Sequence, residues 1–341
     1  MEYRLLGRTG VKVSPLCLGT MMFGAWGNTD HDDCIRIIHH ALDAGINFVD
    51  TADVYAQGES EEVVGKALVG RRDSVVLATK AHGKMGDGIN TQGNSRRWIM
   101  QEVEASLTRL KTNWIDLYQM HRADPNTDID ETLRALDDLI TQGKIRYAGS
   151  STFPAADIVE AQWCARERGY ARFVTEQPPY SMLVRGAENE VLPVCLRHGM
   201  GVLTWSPLAS GWLSGKWRKG IASPVTRRAE RLPQRFDLTR PENQRKLEVV
   251  DGLAALADEA GVSLVHLSIS WVLRHPAVTS AIIGPRTMEH LVSQLGAADL
   301  KLDAALLDRI DAIVHPGTNV VASDGGWQNP ALKPEARRRQ H

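Results

Sequence analysis

Residues 115–150 read IDLYQ at Ile115–Gln119, DIDETLRALDDLITQ at Asp128–Gln142 and YAGS at Tyr147–Ser150. The two short apolar runs are typical of strands that are buried on both faces. The segment between them carries apolar residues at helical spacing, and Gly143 follows it where glycine commonly ends a helix. A helix between two such strands favours a parallel β/α/β connection.

The same pattern repeats along the chain at roughly 30-residue intervals. Eight apolar runs are the predicted strands: Pro15–Gly19, Phe48–Asp50, Val75–Thr79, Ile115–Gln119, Tyr147–Ser150, Phe173–Glu176, Val202–Trp205 and Ala281–Ile283. Eight alternating units predict an α/β fold, a (β/α)8 TIM barrel, rather than an open doubly wound sheet. An open dinucleotide-binding sheet favours G-x-G-x-x-G after its first strand, and GTMMFG at Gly19–Gly24 does not match.

Further segments complete the predicted barrel. We expect an N-terminal hairpin at Tyr3–Val13, an extra C-terminal helix at Asp303–Val314, and a long irregular segment after the seventh strand. The remaining predicted helices are Asp32–Ala44, Ser60–Val69, Ser95–Leu110, Asp128–Gln142, Pro154–Glu167, Glu190–His198, Asn243–Ala260, Ser263–Arg274 and Thr287–Ala298. We expect residues 1–316 to form a single barrel domain and residues 317–341 to form a loop or a disordered tail.

Composition argues against several classes of function. The 341 residues carry 40 Lys plus Arg against 41 Asp plus Glu, a formal net charge of −1. Nucleic-acid binding by the whole protein and polybasic membrane attachment both need a net basic surface, so neither is expected. No run approaches the ~18 apolar residues of a membrane-spanning helix, and the N-terminus lacks the layout of a signal peptide. Four scattered cysteines without a C-x-x-C pair suit a reducing cytoplasm and predict no zinc–thiolate site.

Polar residues follow the predicted strands at their carboxyl ends, where barrels carry active sites. They are Gly19-Thr20, Asp50-Thr51, Thr79-Lys80, Gln119-Met120-His121, Ser150-Ser151-Thr152, Gln177, Trp205-Ser206 and Gly284. Tyr55 lies on the loop after the second strand. One polar residue at a strand end is commonplace, whereas the whole set at one end of a barrel points to a site.

Asp50, Tyr55, Lys80 and His121 have the chemistry of a general-acid device that needs no metal. The reference pKa of tyrosine is about 10, and a lysine ammonium beside the phenol is expected to lower that pKa. An aspartate can hold the lysine charged, and a neutral histidine can direct a substrate carbonyl. Such a device protonates an oxygen while another reactant reaches the carbon. We expect a hydride, because no Ser-His-Asp spacing or pair of glycosidase carboxylates is apparent.

The chain resembles the aldo-keto reductase superfamily over nearly its full length. The segments that carry the resemblance are LLGRTG at 5–10, DTADVY at 50–55, TK at 79–80, IDLYQMHR at 115–122, GKIRY at 143–147, GSSTF at 149–153, SPLASG at 206–211 and IGPRT at 283–287. Their spacing is most similar to the branch that contains the potassium-channel β subunits and their bacterial relatives.

The resemblance implies a role for each matching residue. Asp50, Tyr55, Lys80 and His121 match the catalytic tetrad, with Tyr55 as general acid. The cofactor is NADPH or NADP+. The residues that match its site follow the parts of the cofactor. At the nicotinamide end they are Gly19, Thr20, Met21 and Asp50, with Ser151, Thr152 and Gln177 at the carboxamide and Trp205 under the ring. Ser206, Leu208, Ser210, Gly211 and Lys216 match the pyrophosphate site, and Gly284, Arg286, His290 and Gln294 match the 2′-phosphate and adenine sites.

Three cofactor positions depart from the family pattern. Thr152 replaces an asparagine, Trp205 a tyrosine and His290 a glutamine. An apolar substrate pocket is expected from Met22, Trp26 and Met85, together with Tyr55 and His121, although packing roles fit the first three equally well.

Two regions have alternative interpretations. Arg122 either meets an anionic substrate or forms a salt bridge to a neighbouring loop, and the salt bridge is the commoner role of such arginines. The basic segment Trp212–Arg240 is either a solvated flap or a lid near the cofactor phosphates.

These observations favour a cytoplasmic, NADPH-dependent reductase of aldehydes or ketones. Its expected partner is a small-molecule carbonyl substrate, without nucleic acid or membrane insertion, and the sequence leaves homo-oligomerisation open. The main alternative is an NADP(H)-binding regulatory β-type subunit with slow chemistry. A metal-dependent barrel hydrolase is disfavoured because no H-x-H follows the first strand.

Overall fold

A closed barrel of eight parallel strands forms the body of the protein. The computed structural model describes residues 1–222, 224, 227–329 and 332–338, so residues 330, 331 and 339–341 of the expected tail lie outside the described residues. The described strands are β1 (Arg4–Leu5), β2 (Lys12–Val13), β3 (Leu16–Gly19), β4 (Phe48–Asp50), β5 (Val76–Ala81), β6 (Ile115–Met120), β7 (Ile145–Ser151), β8 (Phe173–Gln177), β9 (Gly201–Thr204) and β10 (Val278–Ile283). The barrel order is β10-β3-β4-β5-β6-β7-β8-β9, and β1 pairs with β2 in an antiparallel hairpin. The predicted (β/α)8 barrel with its hairpin is confirmed.

Helices cover the outside of the barrel. They are α1 (His31–Asp43), α2 (Glu59–Ala67), α3 (Arg96–Arg109), α4 (Ile129–Thr141), α5 (Ala155–Arg168), α6 (Val191–His198), α7 (Arg227–Arg231), α8 (Pro241–Glu259), α9 (Leu264–Arg274), α10 (Met288–Leu295), α11 (Ala304–Ile313) and α12 (Pro334–Arg337). The extra C-terminal helix is α11. The sequence missed α7, because five polar-rich residues give no apolar periodicity.

The strands alternate between two apolar environments. In β3, Leu16 and Leu18 pack toward the helices, whereas Cys17 belongs to the interior of the barrel. Phe48 and Leu117 belong to the same interior. The period of two residues therefore separates an inner core from the larger strand–helix core.

The N-terminal hairpin closes the amino-terminal end of the barrel. Leu6 and Val13 are fully buried in the interior core. Gly7 has φ +56°, and a Cβ atom there would lie 2.8 Å from the backbone nitrogen of Gly201. Only glycine permits this contact, so the hairpin is fixed against β9. The open end is the one where the strands finish.

Residues 317–326 form an anchored loop that returns to the open end. The Val320 backbone N–H donates to the Leu183 carbonyl oxygen at 3.0 Å. Lys246 Nζ lies 2.5 Å from Asp324 Oδ2, and the lysine side chain is almost fully buried. The last residue of this loop, Gly326, lies beside the ring of Trp205. This part of the chain therefore borders the predicted site.

Candidate active site

Four polar side chains form a layer above the apolar interior of the barrel. In β4, Phe48 is part of that interior, and strand alternation turns Asp50 to the same side. Lys80, Gln119 and Gln177 reach the same level from β5, β6 and β8. All four are at most 2% exposed. The layer lies at the carboxyl ends of the strands, where the sequence predicted it.

Asp50 and Lys80 form a buried ion pair at the centre of this layer. Lys80 Nζ lies 2.5 Å from Asp50 Oδ1 and donates to the Thr51 carbonyl oxygen at 2.7 Å. The other carboxylate oxygen, Oδ2, accepts hydrogen bonds from Gln119 at 3.1 Å and Gln177 at 2.9 Å. Burial lowers the pKa of Lys80, but Asp50 and Tyr55 together outweigh burial and raise that pKa above its ordinary value. The lysine is therefore held as an ammonium ion.

Tyr55 extends this pair toward the mouth of the barrel. Lys80 Nζ lies 3.5 Å from the phenolic oxygen. Ala56 and Gln57, which follow it, have φ of 49° and 56°. Left-handed conformations at non-glycine residues cost about 1–3 kcal/mol each and are frequent at functional sites. Burial raises the pKa of Tyr55 and outweighs the opposing effect of Lys80. Lys80 therefore acts on the pKa in the expected direction, and burial has the larger effect.

His121 completes the tetrad from the end of β6. Its ring lies 5.9 Å from that of Tyr55, centroid to centroid, in an edge-on arrangement. Burial, followed by the charges of Lys80 and Arg122, lowers the pKa of His121 well below its ordinary value. The imidazole is therefore neutral near pH 7, and the structure brings all four predicted tetrad residues together.

The predicted substrate pocket is only partly assembled. The Trp26 ring lies 6.0 Å from the Tyr55 ring, and the guanidinium of Arg231 covers Trp26 at 3.8 Å. Met22 Sδ lies 4.0 Å from a nitrogen of Arg228. Met85 is half-buried on the loop after β5, where its backbone N–H donates to the Thr91 carbonyl oxygen at 2.9 Å.

The residues predicted at the nicotinamide lie close together. Ser151 Oγ donates to the Gln177 carbonyl oxygen at 3.1 Å. Thr152 has φ 57°, and its Oγ1 accepts a hydrogen bond from Trp205 Nε1 at 3.3 Å. Gln177 Nε2 also donates to Gln119 Oε1 at 3.1 Å. Gln177 therefore holds Asp50 through a hydrogen bond, in addition to its predicted role at the nicotinamide.

The loop after β9 has the chemistry of a phosphate site. Ser206 and Ser210 adopt φ of 61° and 60°, and the Ser210 backbone N–H donates to Ser206 Oγ at 2.8 Å. Arg228 Nη1 donates to Ser210 Oγ at 3.3 Å, and no described carboxylate lies within ion-pair distance of Arg228. Leu208 packs against the core behind the loop, and Gly211 follows it. Two hydroxyls and an unpaired guanidinium fit the phosphates of a dinucleotide.

A second basic group follows β10. Gly284 is exposed, and the guanidinium of Arg286 has no partner among the described residues. Burial lowers the pKa of His290, and the nearby charges of Lys216 and Arg286 lower it further. Gln294 is turned back into its own helix, where Nε2 donates to the His290 carbonyl oxygen at 2.8 Å. Arg286 therefore offers a guanidinium that could hold a phosphate, whereas the amide nitrogen of Gln294 is already engaged.

The turn after β3 borders the tetrad but uses its polar group internally. The hydroxyl of Thr20 lies 2.8 Å from Ser60 Oγ and 3.3 Å from the Asp50 carbonyl oxygen. Gly19 is buried and Met21 is half-buried. Thr20 therefore holds the wall of the barrel, and its side chain is not free for a ligand.

Sequence reasoning assigned no individual role in the site to Gln119 or Arg228, and it left two alternatives for Arg122. Gln119 binds Asp50, and its place two residues before His121 was the available signal. Arg228 lies on the phosphate loop, within the segment that was interpreted as a flap or a lid. Arg122 donates to the His121 carbonyl oxygen at 2.5 Å and to Thr152 Oγ1 at 3.3 Å. Its expected salt bridge is wrong, because no described carboxylate lies within 4 Å of Arg122.

The described ranges contain no group of three or more His, Cys, Asp or Glu residues that could hold a metal ion. In the same ranges no single helix is long and apolar enough to cross a membrane. Helices α8 and α9 pass that test only as a joined pair, with a bend of 96° between them.

Comparison with known proteins agrees with this geometry. The sequence model of the Aldo/keto reductase family matches residues 15–315. An uncharacterized oxidoreductase, YrpG, from Bacillus subtilis is 42% identical over 93% of this chain and 97% of its own length. A probable voltage-gated potassium channel subunit beta from Arabidopsis thaliana is 38% identical, covering 92% and 97%. Versiconal hemiacetal acetate reductase from Aspergillus parasiticus is 34% identical, covering 93% and 99%. The chain belongs to the aldo/keto reductase family.

Proposed function

We propose that this protein is an NADPH-dependent reductase of aldehydes or ketones, with Tyr55 as general acid. The observation that carries the proposal is the buried series from Asp50 through Lys80 to Tyr55. Lys80 Nζ is 2.5 Å from the carboxylate and 3.5 Å from the phenolic oxygen. This series ends beside His121 at the open end of the barrel, where a small carbonyl compound has access.

Each member of the tetrad has a distinct task in the proposed reaction. Tyr55 is a phenol near neutral pH, because burial raises its pKa, and it gives its proton to the carbonyl oxygen. Negative charge then develops on the tyrosine, and the ammonium of Lys80 stabilises it at short range. Asp50 keeps Lys80 charged, and neutral His121 donates a hydrogen bond that orients the carbonyl. Bound NADPH would supply the hydride.

The donor set at the mouth supports NADPH as the cofactor. Trp205 offers an aromatic face at the nicotinamide position, and Ser151 and Thr152 lie beside it. Arg228 and Arg286 offer guanidinium groups for the phosphates, and both lack a described acidic partner. We also propose a reducing cytoplasmic location, which the four buried and unpaired cysteines support.

A second candidate is an NADP(H)-binding subunit of a larger assembly. It is favoured by the names of relatives, which include probable voltage-gated potassium channel β subunits from Arabidopsis thaliana and Oryza sativa. The complete tetrad favours the enzyme instead, since binding alone requires no general acid.

A panel of carbonyl compounds separates the two candidates. Sugars, ketones, short and aromatic aldehydes and methylglyoxal are offered with NADPH, and absorbance reports its consumption. We expect catalytic turnover with at least one class of compound, unchanged by EDTA. Tight NADPH binding without turnover across the panel would favour the subunit. Loss of activity in EDTA that zinc restores would contradict the proposed metal-free chemistry.

A further inference from the structure

Arg122 is a cation beside the tetrad, and no acidic side chain in the described part of the chain lies within ion-pair distance of it. Its Nη1 atom is engaged with the His121 carbonyl oxygen and with Thr152 Oγ1. Its Nε and Nη2 atoms donate to no described atom. These two nitrogens form the edge of a guanidinium that binds a carboxylate through two parallel hydrogen bonds.

The surroundings of Arg122 leave its charge uncompensated. The side chain is half-buried, and partial removal from water destabilises an unpaired ion. The charge of Glu176 acts on Arg122, but both oxygens of Glu176 already accept hydrogen bonds. Ser150 Oγ donates to one oxygen and the Phe153 backbone N–H donates to the other. Burial also raises the pKa of Glu176 to about 7, so this carboxyl is partly protonated near neutrality. An anion from solution would complete the site.

The cofactor phosphates do not account for Arg122. Arg228, at Ser210, and Arg286, after β10, lie on the two loops that fit those phosphates. Arg122 instead contacts the two residues at the reacting end, His121 and Thr152. Its charge also acts on the phenol of Tyr55. An anion bound by Arg122 would therefore lie near the carbonyl that Tyr55 protonates.

We propose that Arg122 binds a carboxylate carried by the substrate, an inference that rests on the proposed function. The preferred substrates are then aldehydes or ketones that bear a carboxylate a short distance from the carbonyl carbon. Arg122 would select among carbonyl compounds, while the tetrad reduces neutral ones by the same chemistry.

A matched pair of aldehydes tests the proposal. The pair is para-carboxybenzaldehyde and its neutral methyl ester, compared by kcat/KM with saturating NADPH. We expect wild-type protein to prefer the carboxylate by about tenfold or more, and Arg122→Gln to reduce that preference by about 10- to 100-fold, the range for a hydrogen-bonded charged group. Arg245→Gln, at an exposed arginine on α8, should keep the preference. Arg228→Gln should raise the KM for NADPH with both aldehydes alike.

Two results would overturn the proposal while leaving the reductase intact. One is a wild-type enzyme that reduces both aldehydes without preference. The other is an equal loss on both aldehydes in Arg122→Gln, which would make Arg122 a positioning residue for His121.

If neither aldehyde consumes NADPH, binding decides the anion site, and the carbonyl panel decides the proposed function separately. Calorimetric titration of para-(hydroxymethyl)benzoate then compares the wild type with Arg122→Gln. Binding that requires Arg122 would support a carboxylate site, and equal or absent binding would overturn it.

Discussion

Lys80 is fully buried and Tyr55 and His121 are half-buried, and removal from water disfavours the charged form of each. It raises the pKa of the phenol and lowers that of the imidazole, so both are neutral near pH 7. Lys80 stays charged because Asp50 lies 2.5 Å away. The phenol of Tyr55 therefore keeps the proton that it is proposed to donate, and the Lys80 ammonium is in place to stabilise the negative charge that remains on the tyrosine.

Glu176 should give folding stability a pH dependence of its own. Burial raises its pKa from 4.5 to about 7, so the folded state binds this proton more tightly than the unfolded state. Stability should fall as pH rises from about 4.5 to 7 and stay reduced above that, by up to about 3 kcal/mol at 1.36 kcal/mol per pKa unit. Glu176→Gln should lose this dependence, because the amide can accept from Phe153 N–H and donate to Ser150 Oγ.

Urea unfolding at about pH 5 and about pH 8 measures the effect of Glu176. Glu62→Gln, at an exposed acid on α2, should follow the wild-type pH dependence. An unchanged dependence in Glu176→Gln would mean that the buried carboxyl does not titrate in this range.

Arg286 should determine the choice between NADPH and NADH. NADH lacks the 2′-phosphate, so only NADPH gains from this guanidinium. Arg286→Ala should weaken NADPH by about 1.5–3 kcal/mol, or about 10- to 100-fold in Kd, with little change for NADH. Fluorescence titration of both nucleotides checks this. Equal weakening of NADPH and NADH binding would mean that Arg286 supports the loop and does not recognise the phosphate. Among the described residues, Arg286 forms no ion pair with nearby Glu289.

The loop of residues 317–326 borders the site without belonging to the barrel. Its ion pair, Lys246 with Asp324, is mostly buried. At its end Gly326 has φ +77°, and a Cβ atom there would lie 3.0 Å from Trp205 and 3.2 Å from Pro179. The loop therefore packs on the aromatic ring that is proposed to face the nicotinamide.

Gly326→Ala should loosen this loop. Gly70 has φ +76° with nothing within 4 Å of an added Cβ, so Gly70→Ala reproduces the backbone strain without the contact. Hydrogen exchange of the Val320 and Asp324 amides should become about tenfold faster in Gly326→Ala, a cost of about 1.4 kcal/mol, and stay unchanged in Gly70→Ala. Equal exchange in the two variants would show that contact with Trp205 does not hold the loop.

At the scale of the whole molecule, the hairpin and the polar layer divide the barrel into a closed end and a reactive end. Leu6 and Val13 fill the amino-terminal end with apolar side chains. Asp50 and Lys80 lie above that core, where the ion pair is kept from water. Low solvent access strengthens electrostatic effects in the tetrad, so the fold prepares the proposed proton transfer before a substrate arrives.

The barrel and the tetrad could be predicted because both are local in sequence. Each strand–helix unit carries its own pattern, and Asp50, Lys80 and His121 lie at or next to the carboxyl ends of β4, β5 and β6. The net pKa of Tyr55 could not be predicted, since it depends on burial that only the folded barrel creates. The missing partner of Arg122 has the same origin, because an ion pair joins residues that are distant in sequence.

The docked loop was also beyond sequence reasoning. Residues 317–326 are rich in glycine and polar residues, and such segments show no periodicity that predicts packing. The loop is held instead by single contacts, such as Lys246 with Asp324, across the fold. Sequence patterns indicate which segments form elements, but not where an irregular segment docks.

Turnover by Tyr55→Phe tests the central claim most directly. The substitution removes the proposed proton donor and keeps the ring and every nucleotide contact. Wild type and variant are compared for NADPH-dependent reduction of a substrate found in the carbonyl panel, with NADPH affinity titrated alongside. We predict a loss of about 10²–10⁴ in kcat with an unchanged Kd for NADPH, the usual effect of removing a general acid. Near-wild-type turnover in the variant would contradict the assignment of Tyr55 as the general acid.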